Sequence, residues 1–166
     1  MIEHRVQLPN ERIVILDFGS QYTQLIARRI RELHVYAEIV PYYYQLEEIK
    51  KVKPAAIILS GGPSSTYDKD APHAASEIFS LGIPILGICY GLYQVVRAFN
   101  GGIDGAQSKE YGRAMIDIQG SSMLFKGLAQ KEQVWMSHGD KVTSPPPGFT
   151  LIASSHNAEV AAIEHQ

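Results

Sequence analysis

One cysteine stands in this sequence of 166 residues, and glycines flank it: Gly87-Ile88-Cys89-Tyr90-Gly91. The apolar run Ile83–Ile88 precedes it and a helical pattern follows from Gly91 to Phe99. The segment therefore has the form of a nucleophile elbow, with cysteine in place of serine. Glycines on both sides let a strand turn sharply into a helix without clash. The turn would carry the thiol to the carboxyl end of a strand and set it at a helix N-terminus, whose partial positive charge favours thiolate over thiol. The chemistry expected of Cys89 is nucleophilic attack on an acyl carbon. The competing reading is a buried cysteine filling space between strand and helix, but packing alone does not ask for glycine on both flanks.

Attack on an acyl carbon creates an oxyanion, which needs donors already in place. The elbow offers the amide of Tyr90. A second donor would come from a neighbouring strand end, and Ser60-Gly61-Gly62-Pro63-Ser64 closes the apolar run Ala55–Ser60 in that manner. Glycine there lets backbone approach a substrate carbonyl closely. Taken alone, the Gly-Gly-Pro triplet is an ordinary strand-ending turn. It is no phosphate loop, since neither Lys-Ser/Thr nor a G-x-G-x-x-G pattern accompanies it.

Elements able to hold these loops alternate along the first hundred residues. Ile13–Asp17, Val35–Val40, Ala55–Ser60 and Ile83–Ile88 read as short, nearly continuous apolar strands. Between and after them Gln21–Leu33, Leu46–Val52, Ala74–Leu81 and Gly91–Phe99 carry helical spacing, the last ending at Asn100-Gly101-Gly102. Such alternation predicts an α/β fold, a doubly wound and mostly parallel sheet flanked by helices on both faces. Carboxyl ends of neighbouring strands are where ligands gather in that architecture. From Ala114 onward the texture becomes β-rich, with strand pieces at Ala114–Ile118, Val134–Met136, Phe149–Ala153 and Val160–Ile163. These form a β-rich C-terminal extension of the same domain, and the length suits one domain with a single core.

The formal charge is −2, so no net field would gather nucleic acid or an anionic membrane. No apolar run is long enough to span a bilayer, and the opening MIEHRVQLPNER lacks the pattern of a secretory signal. A cytoplasmic protein acting on a small molecule is expected. With one thiol there is no intrachain disulfide and no cysteine-based metal cluster, so no metal site is expected.

Four blocks in order carry a resemblance: Asp17-Phe18-Gly19-Ser20-Gln21-Tyr22, Leu59-Ser60-Gly61-Gly62-Pro63, Gly87-Ile88-Cys89-Tyr90-Gly91 and Trp135-Met136-Ser137-His138-Gly139-Asp140. In order and rough spacing they resemble class I glutamine amidotransferases, and their wording is most similar to the glutaminase domains of GMP synthetases. The resemblance runs from Ile13 to Ile163, which divides the chain into an N-terminal extension over 1–12 and an amidotransferase domain over 13–166. It implies that Cys89 attacks the side-chain amide of glutamine while the amides of Gly62 and Tyr90 hold the oxyanion. Ammonia leaves, and water then hydrolyses the glutamyl thioester. It also implies that Ser64, Ser137, Gly139 and Asp140 surround the amino-acid end of glutamine. His138 either orients that loop or is a satisfied structural histidine. No cofactor is implied for this domain. ATP and magnesium would belong to a synthetase domain or subunit of the ATP-pyrophosphatase type, which would use the ammonia to aminate XMP. Two other classes fit parts of the pattern: a cysteine hydrolase of different specificity and a non-catalytic regulatory or binding module of the same fold.

The sequence departs from the family in two places. A cysteine of this kind works with a histidine base oriented by a carboxylate. The family draws both from a His-Pro-Glu segment, which does not occur here, and Glu164-His165-Gln166 does not match it. The expectation is a chain incomplete at its C-terminus and impaired in glutamine hydrolysis. The second departure is Tyr93, which stands where the family commonly has glutamine, with Gln94 next. One residue turns a helix by about 100°, so only a local bulge would bring Gln94 to the glutamine-contacting position.

Overall fold

Val14, Ile15 and Leu16 are all buried in strand β1 (Arg12–Asp17). Successive side chains of a strand point to opposite faces, so this sheet is covered on both. The computed structural model describes residues 12–165, with the side chains of 106–110 outside the description. Of the extension expected over 1–12, only Arg12 falls within these residues. The chain divides into two compact units. The first reaches to Pro63 and resumes over Pro72–Leu92, and the second comprises Ser64–Ala71 and the chain from Tyr93 onward.

The first unit holds four parallel strands in the order β2-β1-β3-β4, with β2 at Tyr36–Pro41, β3 at Ala56–Leu59 and β4 at Ile85–Gly87. Register places Ile15 beside Ile39 on one side and Ile58 on the other, with Leu86 beyond Ile58. Ile26, Ala27 and Ile30 of helix α1 (Thr23–Glu32) pack on this row. Ile26 and Ile30 lie one turn apart, which is why the periodicity of the helix was legible. At the end of α1, Arg31 donates two hydrogen bonds to the carbonyl of Ala37, at 2.7 and 3.2 Å, and fixes the entry of β2. Helix α2 spans Leu46–Val52 and buries Ile49. The strand order reverses direction between β1 and β3, so the carboxyl ends of those two strands flank the switch point of a doubly wound sheet.

One predicted helix is not formed. Ala74–Leu81 contains only a 3₁₀ turn, Ser76–Ser80, closed by the amide of Ile78 on the carbonyl of Ala75 at 3.1 Å. Pro72 before it and Gly82-Ile83-Pro84 after it leave too few residues to repay helix nucleation. Burial of Ile78 is what the turn achieves.

The second unit holds antiparallel strands in the order β6-β5-β7-β8, at Lys131–Ser144, Gly102–Ile118, Phe149–Ser155 and Ala162–His165 respectively. β5 and β6 are far longer than the predicted pieces Ala114–Ile118 and Val134–Met136. Glycine and charge within them hide the strand signal, and cross-strand pairing overrides local propensity. Val160 makes an isolated bridge to Val142 ahead of β8. Helix α3 (Tyr90–Ala98) begins in the first unit and continues into the second. It stops where expected, with Asn100 in the left-handed region (φ 61°) and the amide of Gly101 on the carbonyl of Val96 at 2.8 Å.

Candidate active site

Cys89 has φ 53°, a left-handed conformation that a residue with a side chain seldom adopts. Strain at such a residue persists only when the surroundings enforce it. Here the flanking glycines permit it. A Cβ on Gly87 would lie 2.5 Å from the carbonyl oxygen of Gly91, and one on Gly91 would lie 2.1 Å from that of Leu59. Both obstacles are backbone, so neither yields. The amides of Gly91 and Leu92 turn back to the carbonyls of Ile88 and Cys89, at 3.0 and 2.9 Å, and start the helix at once. Cys89 is half-buried, just before the first turn of α3, where amides point out of the helix start. Tyr90 is that helix's first residue. Its ring is fully buried against Phe18 (centroids 5.4 Å apart), and its hydroxyl donates to the carbonyl of Pro72 at 2.8 Å.

The Gly61-Gly62 turn lies beside the elbow. A Cβ on Gly61 would sit 3.5 Å from that of Cys89, and one on Gly62 would meet the carbonyl oxygen of Phe18 at 2.6 Å. The first block of the resemblance explains how the turn is held. Ser60 is fully buried, and its hydroxyl accepts from the amide of Phe18 at 3.0 Å and donates to the carbonyl of Gly61 at 2.9 Å. Asp17 Oδ1 accepts from the amide of Gly19 at 2.9 Å and the hydroxyl of buried Thr23 at 2.7 Å. Asp17, Phe18 and Ser60 thus lock the carboxyl ends of β1 and β3 together, and the first unit gathers Cys89, Tyr90, Gly61 and Gly62.

In the second unit the predicted residue Asp140 is 5% exposed. Its carboxylate accepts from the Ser65 hydroxyl (2.9 and 3.0 Å to its two oxygens), the Thr66 amide (2.7 Å) and the Thr66 hydroxyl (3.0 Å). Three donor protons thus reach this carboxylate, two of them at Oδ2 alone and one shared between its oxygens, so the buried group keeps hydrogen-bond partners. The backbone carbonyl of Asp140 accepts from the Tyr93 hydroxyl at 2.5 Å and lies 3.0 Å from His138 Nδ1. That contact assigns the proton to Nδ1. Tyr67 adds a tie, donating to the carbonyl of Ile103 at 2.6 Å. Desolvation first, then the negative charges of Asp104 and Asp140, hold its phenol above the usual tyrosine range. It therefore stays a donor.

Of the other predicted residues, Ser137 is exposed on β6 opposite Tyr111, and Gly139 is half-buried within an irregularity of the β5–β6 ladder. Ser64 is half-buried ahead of Ser65, whose hydroxyl reaches Asp140. Gln94 is buried in a regular α-helix, and no bulge shifts it toward the family's position. Ser65 and Thr66 escaped sequence reasoning, and Tyr93, noted there only as a departure from the family, was given no role. The signal available was a tyrosine on the elbow helix, since a buried tyrosine hydroxyl needs an acceptor. Among the described residues no group of His, Cys, Asp and Glu is arranged to hold a metal ion, and no helix is long and apolar enough to cross a membrane.

A strained cysteine at a strand-to-helix turn, beside a glycine loop on a doubly wound sheet, agrees with the comparison to known families. The chain belongs to the class-I glutamine amidotransferases, whose family model matches residues 14–166. Among curated proteins it is 53% identical over 156 residues to the glutamine-hydrolyzing GMP synthase of Brachyspira hyodysenteriae, covering 94% of this chain and 30% of that protein. It is 52% identical over 153 residues to the GMP synthase of Helicobacter pylori, covering 92% and 30% respectively. The chain thus spans about 30% of the length of the curated relatives it matches. Among solved structures, a Thermoplasma acidophilum protein provisionally assigned as part of a GMP synthase superposes with a TM-score of 0.79 at 27% identity, covering 94% of this chain and 78% of that one. A glutamine amidotransferase of Thermotoga maritima shares the fold, with a TM-score of 0.74 at 18% identity over 94% and 72% of the two chains.

Proposed function

We propose that this chain is the glutaminase module of a GMP-forming synthetase, releasing ammonia from glutamine through a thioester on Cys89. The observation that carries the reading is the left-handed Cys89 between two glycines that cannot be replaced without backbone collision. The thiolate sulfur attacks the side-chain amide carbon of glutamine, and the C=O electron pair moves onto oxygen. Amides of Gly62 and Tyr90 receive that oxyanion. Its collapse breaks the C–N bond, and the nitrogen leaves as ammonia after gaining a proton. Water then cleaves the thioester, giving glutamate and the thiol. The helix start of α3 favours the thiolate at the outset and whenever it re-forms.

Ser64, Ser137, Gly139 and Asp140 are proposed to bind the amino and carboxyl groups of glutamine. The module itself needs no cofactor. ATP and magnesium serve the proposed partner, a synthetase domain or subunit in the cytoplasm, which spends the ammonia on XMP. The identity to GMP synthases supports this product over others. No His-Pro-Glu segment occurs among the 166 residues, so the proposal assigns the proton transfers to groups they do not supply. Glutamine hydrolysis by these residues alone is expected to be slow, and full turnover without such a segment would refute that assignment.

Specificity is tested by protecting Cys89 from a glutamine-mimicking electrophile. Glutamine is expected to protect, whereas N-acetylglutamine and glutaminamide are not. Equal protection by all three would favour a cysteine hydrolase that does not read the amino and carboxyl groups.

A further inference from the structure

A trans peptide unit is planar, so the carbonyl of one residue and the amide of the next point in opposite directions and turn together. The peptide between Gly61 and Gly62 is trans. Whatever holds the Gly61 carbonyl therefore also aims the Gly62 amide, the second of the two donors assigned to the oxyanion. Adjacent glycines impose little direction of their own. Rotation of this peptide would bring a carbonyl oxygen, in place of an N–H, toward a developing negative charge.

The group that holds the carbonyl is the Ser60 hydroxyl, which donates to it at 2.9 Å. Ser60 is fully buried, and its neighbours direct that proton. The amide of Phe18 takes a lone pair of Oγ at 3.0 Å. The alternative acceptor, Asp17 Oδ1, lies farther off at 3.4 Å and already accepts from the Gly19 amide and the Thr23 hydroxyl. The backbone of Ser60 is fixed as well, by its amide on the Leu16 carbonyl at 3.0 Å. One residue earlier, the Leu59 carbonyl accepts from the amide of Ile88, next to Cys89, at 3.0 Å. Nucleophile and clamp thus take their places from consecutive residues at the end of β3, all within the first unit.

We propose that Ser60 is a positioning residue whose hydroxyl clamps the Gly61 carbonyl so that the Gly62 N–H faces the oxyanion formed at Cys89. It acts through the Gly61-Gly62 peptide and touches no substrate. Satisfying the Phe18 amide asks only for an acceptor, and the clamp is what asks for a hydroxyl proton. The proposal rests on the glutaminase reading and gives a backbone donor a side-chain requirement.

The test compares binding of glutamine with binding of a tetrahedral adduct. The γ-aldehyde analogue of glutamine adds Cys89 sulfur to its carbonyl carbon, and the aldehyde oxygen takes up the thiol proton or remains an oxyanion. The adduct is a thiohemiacetal whose oxygen lies where the oxyanion would. Affinity for this aldehyde is measured by its protection of Cys89 from alkylation, alongside protection by glutamine itself. In Ser60→Ala the aldehyde should bind on the order of ten- to a hundredfold more weakly, with glutamine protection changed less than about twofold. Ser60→Cys keeps a side chain of similar size with a weak donor and should show the same selective loss in smaller measure. It covers the case in which Ser60→Ala does not fold, and peptide mapping keeps the readout on Cys89. Arg31→Met removes two hydrogen bonds at the start of β2, in the same unit, and should lower stability without separating the two affinities.

Equal losses for glutamine and aldehyde in the Ser60 variants would reduce Ser60 to a structural residue and overturn the proposal. Unchanged aldehyde affinity would overturn it too, because the clamp would then have no bearing on the oxyanion. A selective aldehyde loss in Arg31→Met would do the same, by tracing the split to general loosening of the unit. Failure of the glutaminase reading shows separately, as absence of glutamine-protected alkylation in the unaltered chain, and the proposal falls with it.

Discussion

The two regions that carry the predicted site residues are built by opposite means. Around Cys89, geometry is set by what is missing: Gly87, Gly91 and Gly62 leave room for backbone carbonyls that any Cβ would strike. Around Asp140, geometry is set by what is present, a carboxylate and a carbonyl that collect donors from Ser65, Thr66, Tyr93 and His138. Steric exclusion by backbone gives nearly all-or-none tolerance. A hydrogen-bond network degrades by one bond at a time, and each net bond contributes about 1 kcal/mol.

This contrast fixes the order of expected effects. Gly91→Ala should be the most damaging, since its Cβ would fall 2.1 Å from the Leu59 carbonyl oxygen. Urea unfolding should show a loss of about 3 kcal/mol or more, together with loss of selective Cys89 labelling. A stable, labelled Gly91→Ala protein would break the claim that the elbow is sterically enforced. Gly62→Ala comes next. The collision with the Phe18 carbonyl moves the proposed oxyanion donor, and labelling by a glutamine-mimicking electrophile should slow on the order of a hundredfold.

Tyr93→Phe removes one buried hydrogen bond to Asp140 and should cost about 1 kcal/mol of unfolding free energy. A loss as large as that of Gly91→Ala would erase the distinction between the two regions. Gly61→Ala should be the mildest. Gly61 does not have positive φ, and its Cβ would make only ordinary contacts at 3.5 Å or more. Calorimetry should find stability unchanged or raised by about 0.5 kcal/mol, through reduced freedom of the unfolded chain.

The same contrast explains how much the sequence revealed. The elbow was legible because glycine is almost the only residue that fits such a turn, and the strands of the parallel sheet because burial on both faces leaves continuous apolar runs. The partners of Ser65, Thr66 and Tyr93 were not legible. Serine, threonine and tyrosine serve many local purposes, and which acceptor each finds depends on tertiary placement. The long β5–β6 ladder was hidden likewise, since exposed residues alternate with half-buried ones along much of β6 and Gly105 and Gly112 lie within β5. The predicted helix at Ala74–Leu81 failed because spacing says nothing about the length that flanking prolines leave available.

The central claim is that Cys89 is an acyl-accepting nucleophile shaped for glutamine. Its most direct test is intact-mass analysis after exposure to a glutamine-mimicking chloroketone, with Cys89→Ala as control and glutamine as competitor. A single adduct that requires Cys89 and disappears with excess glutamine is expected. A folded chain that forms no adduct, or forms one that glutamine leaves untouched, would contradict it.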